Sequence, residues 1–97
     1  MMKAVIVDDE EWCLVELAEM LNETGMVEIT GSYTCAHKAM QAAIRDAPDI
    51  IFIDVQMPVM SGLELAAKIK ELLNKTCIVL VSEKECFARN AFDIGVG

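Results

Sequence analysis

Four short apolar runs, each followed by a stretch of helical period, constrain this chain more than any other feature. "KAVIV" (3–7) ends on Asp8, after which Leu14, Leu17, Ala18 and Leu21 fall at i, i+3, i+4 and i+7 within 10–22. That spacing makes one helical face, and Gly25 is placed to stop it. "VEITGSY" (27–33) is rich in β-branched residues, and Ala36, Ala39, Met40, Ala43 and Ala47 then recur at helical spacing until Pro48 ends the run. "IIFI" (50–53) is too short and too continuously apolar for anything except a strand covered on both faces. Ser61 and Glu64 form a capping-box signal, with Leu65, Ile69, Leu72 and Leu73 as the buried stripe behind it. "CIVLV" (77–81) reads as a fourth strand and is followed by a second S-x-x-E signal at Ser82 and Glu85. Phe87, Ala88, Ala91 and Phe92 make the apolar face of a fourth helix, which Gly95 can stop. The order βαβαβαβα predicts a parallel sheet with right-handed crossovers and helices on both faces.

Composition narrows the function. At 97 residues the expectation is one domain, 1–97. The chain is 55% hydrophobic, yet no apolar run approaches the ~18 residues of a membrane span, and the N-terminus is not a secretory signal. A cytoplasmic protein with no membrane partner is expected. A net charge of −8, with eight basic residues, cannot build the contiguous positive face that nucleic acid requires, so no direct nucleic-acid binding is expected either. Cys13, Cys35, Cys77 and Cys86 include no C-x-x-C pair, and with His37 as the single histidine they give no zinc spacing. They read as reduced, packed thiols, and His37 as a helix surface residue.

In an open parallel sheet, chemistry gathers beyond the carboxyl ends of the strands. Asp8 and Asp9 follow the first strand, Asp54 closes the third and Ser82 follows the fourth. If the first and third strands are neighbours, roughly 4.8 Å apart, the three carboxylates converge and repel one another. A cation resolves that conflict. Mg²⁺ is hard, prefers oxygen and is typically held by one or two carboxylates plus a substrate phosphate. Beside it Asp54 becomes a usable nucleophile toward an incoming phosphoryl group, giving an acyl phosphate. The plain structural alternatives are an N-cap role for Asp9, dipole complementation by Glu10 and Glu11, and a cap role for Ser82. A cap is a poor account of Asp54, because Pro58 and Gly62 delay the next helix.

"VDDE" (7–10), "DVQMPVMSGLE" (54–64) and "VLVS" (79–82) together resemble the receiver domain of two-component response regulators. The resemblance runs through the whole chain in order. It implies a flavodoxin-like doubly wound sheet of order 2-1-3-4, with Asp54 accepting a phosphoryl group from a sensor histidine kinase. It further implies Asp9 as a direct Mg²⁺ ligand, Asp8 acting largely through a metal-bound water, and the backbone carbonyl of Gln56 as another ligand. Ser82 is implied to hydrogen-bond a phosphoryl oxygen and to swing inward on phosphorylation, while Met57, Pro58 and Gly62 shape the loop. Such a domain is a phosphoryl acceptor with at most weak self-dephosphorylation, not an ordinary enzyme, and switches an output, commonly transcriptional, encoded beyond residue 97.

The chain departs from that family at "FDIGVG", where receivers continue into a fifth strand ending in a lysine and then a fifth helix. A domain without the fifth strand is therefore expected, C-terminally incomplete and with no catalytic lysine, since Lys75 and Lys84 are not at the required place. Its fourth strand would be a bare apolar edge, which implies a homodimer or strand-exchanged pair. Glu83 stands where the family has a small residue. The alternative reading is a pseudo-receiver that docks or dimerises without phosphorylation. A third is a Mg²⁺-dependent phosphohydrolase, which needs a second acid where Gln56 stands.

Overall fold

The computed structural model describes residues 1–55, 57 and 60–81, and the backbone of 92–94. Its strands and helices are β1 (Met2–Val7), α1 (Glu11–Thr24), β2 (Val27–Tyr33), α2 (Ala36–Asp46), β3 (Ile50–Asp54), α3 (Gly62–Leu72), β4 (Cys77–Val81) and β5 (Phe92–Ile94). The strands form one sheet in the order β2-β1-β3-β4-β5. β1 pairs in parallel with both β2 and β3, and β3 pairs in parallel with β4.

The expected order 2-1-3-4 is therefore present, but the sheet does not stop at β4. Phe92–Ile94 adds to β4 in the antiparallel sense, with Val79 opposite Ile94 and Val81 opposite Phe92. Two expectations are corrected here. The upper part of β4 is not a bare edge, and Phe92 belongs to a strand, not to the apolar face of a fourth helix. The reason is energetic: unpaired backbone groups along an apolar edge are costly, and a chain that folds back antiparallel satisfies them. The remaining residues assigned to the fourth helix, from Ser82 to Ala91, and its proposed stop at Gly95 lie outside the described residues, with Glu83, Lys84 and Cys86 among them.

Alternation along the strands divides the core into two layers. Ala4 and Ile6 of β1, Ile50 and Phe52 of β3, and Val79 and Val81 of β4 pack with Cys13, Leu14 and Leu17 of α1. Val5 and Val7, Ile51 and Ile53, and Ile78 pack on the other face with Ala39 and Ala43 of α2 and Leu65 and Ile69 of α3. Helices thus cover both faces, and β3 is buried throughout, as its unbroken apolar run requires.

Helix boundaries follow local chemistry. Gly25 takes the left-handed conformation (φ 69°) at the end of α1, and Ser61 Oγ accepts from the Glu64 N–H at 3.1 Å to start α3. Ala47 caps α2 with φ 44°, an exposed turn residue where helical spacing had placed it on the helix. Leu72 is also corrected: it lies 59% exposed at the end of α3, while Leu73 packs inward. Cys13 is buried as expected, but Cys35 is exposed at the N-cap of α2. His37 is exposed, as read. No described helix is long and apolar enough to cross a membrane.

Candidate functional site

The parallel register of β1 against β3 places Val7 opposite Ile53. One residue further on, each strand supplies an acid. Asp8 continues the row Ala4, Ile6 on the α1 face, and Asp54 continues the row Ile50, Phe52 on that face. The two carboxylates therefore point into one space. Each residue is only 1% exposed, an uncommon place for an acid. Asp9, half-buried, joins them: Asp8, Asp9 and Asp54 each offer a carboxylate oxygen, and these oxygens lie within 4.8 Å of one another. Convergence of the three acids, expected from neighbouring first and third strands, is what the structure contains.

Backbone contacts hold the cluster. The Asp8 N–H donates to the Tyr33 carbonyl at 3.1 Å, extending the β1–β2 ladder past the last strand residue. Asp8 Oδ1 accepts from the Glu10 N–H at 2.9 Å, which turns the chain from β1 into α1. Glu10 occupies the N-cap position of α1, so the cap reading of Asp9 does not hold. Glu11 lies in the first turn, where an acid complements the helix dipole as read. On the other side the Val55 N–H donates to the Val81 carbonyl at 3.0 Å, fixing the chain just after Asp54 against β4.

The loop after Asp54 is anchored from below. Met57 and Met60 pack into the core layer shared by α2 and α3, and the Gly62 N–H donates to the Val55 carbonyl at 2.8 Å. Gly62 has no room for a side chain, because a Cβ there would stand 2.7 Å from both the Asp54 carbonyl carbon and the Val55 Cα. The shaping role expected of Met57 and Gly62 is visible in these contacts. Gln56, Pro58 and Ser82, also assigned to the site from sequence, lie outside the described residues.

The donor set suits a hard divalent cation. Three carboxylates supply oxygen only, as Mg²⁺ prefers, and they offer one oxygen each within 4.8 Å of the other two. Among the described residues, Asp8, Asp9 and Asp54 form a group that can hold such an ion.

Cys13 is a neighbour that sequence reasoning did not connect to the site. Its thiol is fully buried on α1, and burial first, then the charges of Asp8, Glu10, Asp54 and Glu16, push its pKa up to about 12. It stays protonated at neutral pH. The available signal was its position on the inward face of the helix that Asp8 and Asp9 lead into.

Comparison with known proteins agrees with this geometry. The family model described as "Response regulator receiver domain" matches residues 4–96. A sensory transduction protein, LytT, of Bacillus anthracis is 34% identical over 94 residues, which cover 97% of this chain and 38% of that protein. The transcriptional regulatory protein LytR of Staphylococcus aureus is 33% identical over 93 residues, covering 96% of this chain and 38% of that one. The signal receiver domain of the response regulator NarL from Mycobacterium tuberculosis superposes with a TM-score of 0.77 at 26% identity, covering 90% of this chain and 70% of that one. The chain spans about two fifths of the length of the curated relatives it matches.

Proposed function

We propose, from the premise that this chain belongs to the response regulator receiver family of two-component signalling, that Asp54 is its phosphoacceptor. The observation that carries this reading is the convergence of Asp8, Asp9 and Asp54 at the carboxyl end of the sheet. A carboxylate oxygen of Asp54 attacks the phosphorus of a phosphohistidine on a sensor kinase. As the new O–P bond forms, the P–N bond breaks with its electron pair staying on the imidazole nitrogen. The product is an aspartyl phosphate, and the acceptor is used once per transfer, so the chain relays a signal and does not turn over substrate as an ordinary enzyme does. Asp8 and Asp9, with Asp54 and the backbone carbonyl of Gln56, would hold Mg²⁺. The ion supplies neutralising charge for the phosphoryl oxygens. Ser82 is assigned the hydrogen bond to a phosphoryl oxygen.

The remaining proposals follow the family. The chain is cytoplasmic, its partner is a sensor histidine kinase, and receiver domains of this kind pair with a second copy. The output is transcriptional, by likeness to the LytR relative, whose name states that activity. The test is chemical. Incubation with Mg²⁺ and acetyl phosphate is expected to give an acid-labile phosphoryl adduct that is absent without Mg²⁺ and absent from Asp54→Asn. A folded, Mg²⁺-binding protein that takes up no phosphoryl group would overturn the assignment.

A further inference from the structure

The β1–β2 ladder changes face halfway along. Val27 and Ile29 pack in the core layer under α1, whereas Tyr33 packs against the opposite layer, that of Val5, Val7, Ala36 and Ala39. Strict alternation would keep 29, 31 and 33 on one side of the sheet. The pairing slips between Ala4 and Val5, so that Ile29 and Gly31 face consecutive β1 residues, Thr30 is extra, and all that follows turns over. Thr30 Oγ1 donates to the Ala4 carbonyl at 3.3 Å, tying the extra residue to β1.

This slip decides what lies beside Asp8. Tyr33 stands opposite Val7, and its carbonyl takes the Asp8 N–H at 3.1 Å. An unslipped ladder would set Ser32 opposite Val7 and offer the Ser32 carbonyl to Asp8 instead, turning the Tyr33 ring to the α1 face beside the acids. The ring has a seat that holds the slipped register. It folds back over Gly31, where a Cβ would stand 2.7 Å from its Cε2 and 2.8 Å from its hydroxyl oxygen. Its hydroxyl end reaches α2, where it adds to Asp46 in raising the pKa of the Arg45 guanidinium. Aromatic rings dominate the energetics of a layer they enter, and Ser32, which an unslipped ladder would put in that layer, has nothing comparable to bury.

We propose that Tyr33 is a positioning residue for Asp8: its ring, seated over Gly31 on the α2 face, holds β2 in the register that presents the Tyr33 carbonyl to the Asp8 N–H and so aims the Asp8 carboxylate at Asp9 and Asp54. The consequence for Mg²⁺ rests on the reading of those acids as a metal site. The consequence for the Asp8 amide does not.

Amide hydrogen exchange of the metal-free full chain, followed by NMR, tests the placement directly. In Tyr33→Ala the Asp8 N–H is expected to exchange roughly tenfold faster relative to that of Ile51, which is fully buried in β3. A ring that served stability alone would speed Ile51, which opens with the whole fold, at least as much as Asp8. Tyr33→Phe keeps the ring and is expected to restore the parent rate at Asp8. Gly31→Ala evicts the ring tip without shortening the side chain, so it is expected to speed Asp8 as well, and adding it to Tyr33→Ala is expected to change little further. If Tyr33→Ala does not fold, Gly31→Ala against Tyr33→Phe decides by the same ratio. Titrated with Mg²⁺, Tyr33→Ala is expected to bind roughly tenfold more weakly than the parent, and Tyr33→Phe as the parent does. Four results would overturn the proposal: Asp8 exchange in Tyr33→Ala rising no more than that of Ile51, Tyr33→Phe behaving as Tyr33→Ala, Gly31→Ala leaving Asp8 unchanged, or Tyr33→Ala binding Mg²⁺ as tightly as a parent that binds it. A parent that binds no Mg²⁺ would defeat the metal reading, and the exchange ratios alone would then decide the role of Tyr33.

Discussion

Gly62 lies against the backbone of Asp54 so closely that a Cβ at Gly62 would stand 2.7 Å from the Asp54 carbonyl carbon. The start of α3 is therefore pressed against the end of β3, and the position of the site's central carboxylate depends on a residue eight positions later. Gly62→Ala is expected to force the two segments apart. Overpacking against backbone costs about 1–3 kcal/mol, to be measured by urea denaturation. The same variant is expected to lose Mg²⁺ affinity, because displacing Asp54 separates it from Asp8 and Asp9. Unchanged stability and metal binding would show that the loop gives way without moving the site.

Three carboxylates whose oxygens lie within 4.8 Å repel when no cation is bound. Asp8→Asn keeps an oxygen to accept from the Glu10 N–H and removes one charge. Without metal this variant is expected to be more stable than the parent by about 1 kcal/mol or more. With metal the order changes. Saturating Mg²⁺ at ~100 times its Kd stabilises the parent by about 2.7 kcal/mol, and a chelator reverses the gain, whereas Asp8→Asn responds weakly. Thermal melts with and without Mg²⁺ check both halves.

The cysteines differ in reactivity for stated reasons. Cys35 is exposed, and backbone N–H groups of Lys38 and His37 lower its pKa by hydrogen-bonding the thiolate. Mass mapping of iodoacetamide adducts at neutral pH is expected to find Cys35 modified well before Cys13. For Cys13, burial raises the folded pKa from 9.0 to about 12, so the folded state favours the protonated thiol. Its contribution to stability is then complete below pH 9 and falls as pH rises from 9 toward 12. Cys13→Val is expected to reduce that alkaline loss, measured by denaturant midpoints across pH.

Two helix ends predict changes of opposite sign. Ser61→Ala removes the hydroxyl that accepts from the Glu64 N–H and is expected to cost about 1 kcal/mol. Ala47 holds a left-handed φ of 44° at the end of α2, a conformation that penalises a Cβ by roughly 1 kcal/mol. Ala47→Gly is expected to be stabilising by a few tenths to about 1 kcal/mol, the gain being reduced by the entropy of an unfolded glycine. Chemical denaturation of both variants decides the signs.

Local chemistry was legible in the sequence wherever neighbours along the chain decide it. The limits of β2 and β4, the stop at Gly25 and the cap at Ser61 all depend on residues within four positions of one another. The acids were legible too, because a charge closing an apolar strand has few structural explanations. Exposure was harder. Leu72 and Cys35 carry apolar or small side chains, but burial depends on what other segments cover them, and neither helix signals that locally.

Sequence alone determined the alternation of strands and helices as far as β4, the identity of the acids and their positions at strand ends, because period and capping act over a few residues. Only the tertiary structure decided that β1 and β3 lie side by side in a register that sets Asp8 and Asp54 on one face. It also decided that Phe92–Ile94 returns antiparallel to β4, and that α1 and β2 leave a groove around Trp12. Pairing between strands and the gaps left by packing arise from contacts between segments far apart in the chain. Their free energy depends on the whole assembled sheet, which no local pattern encodes.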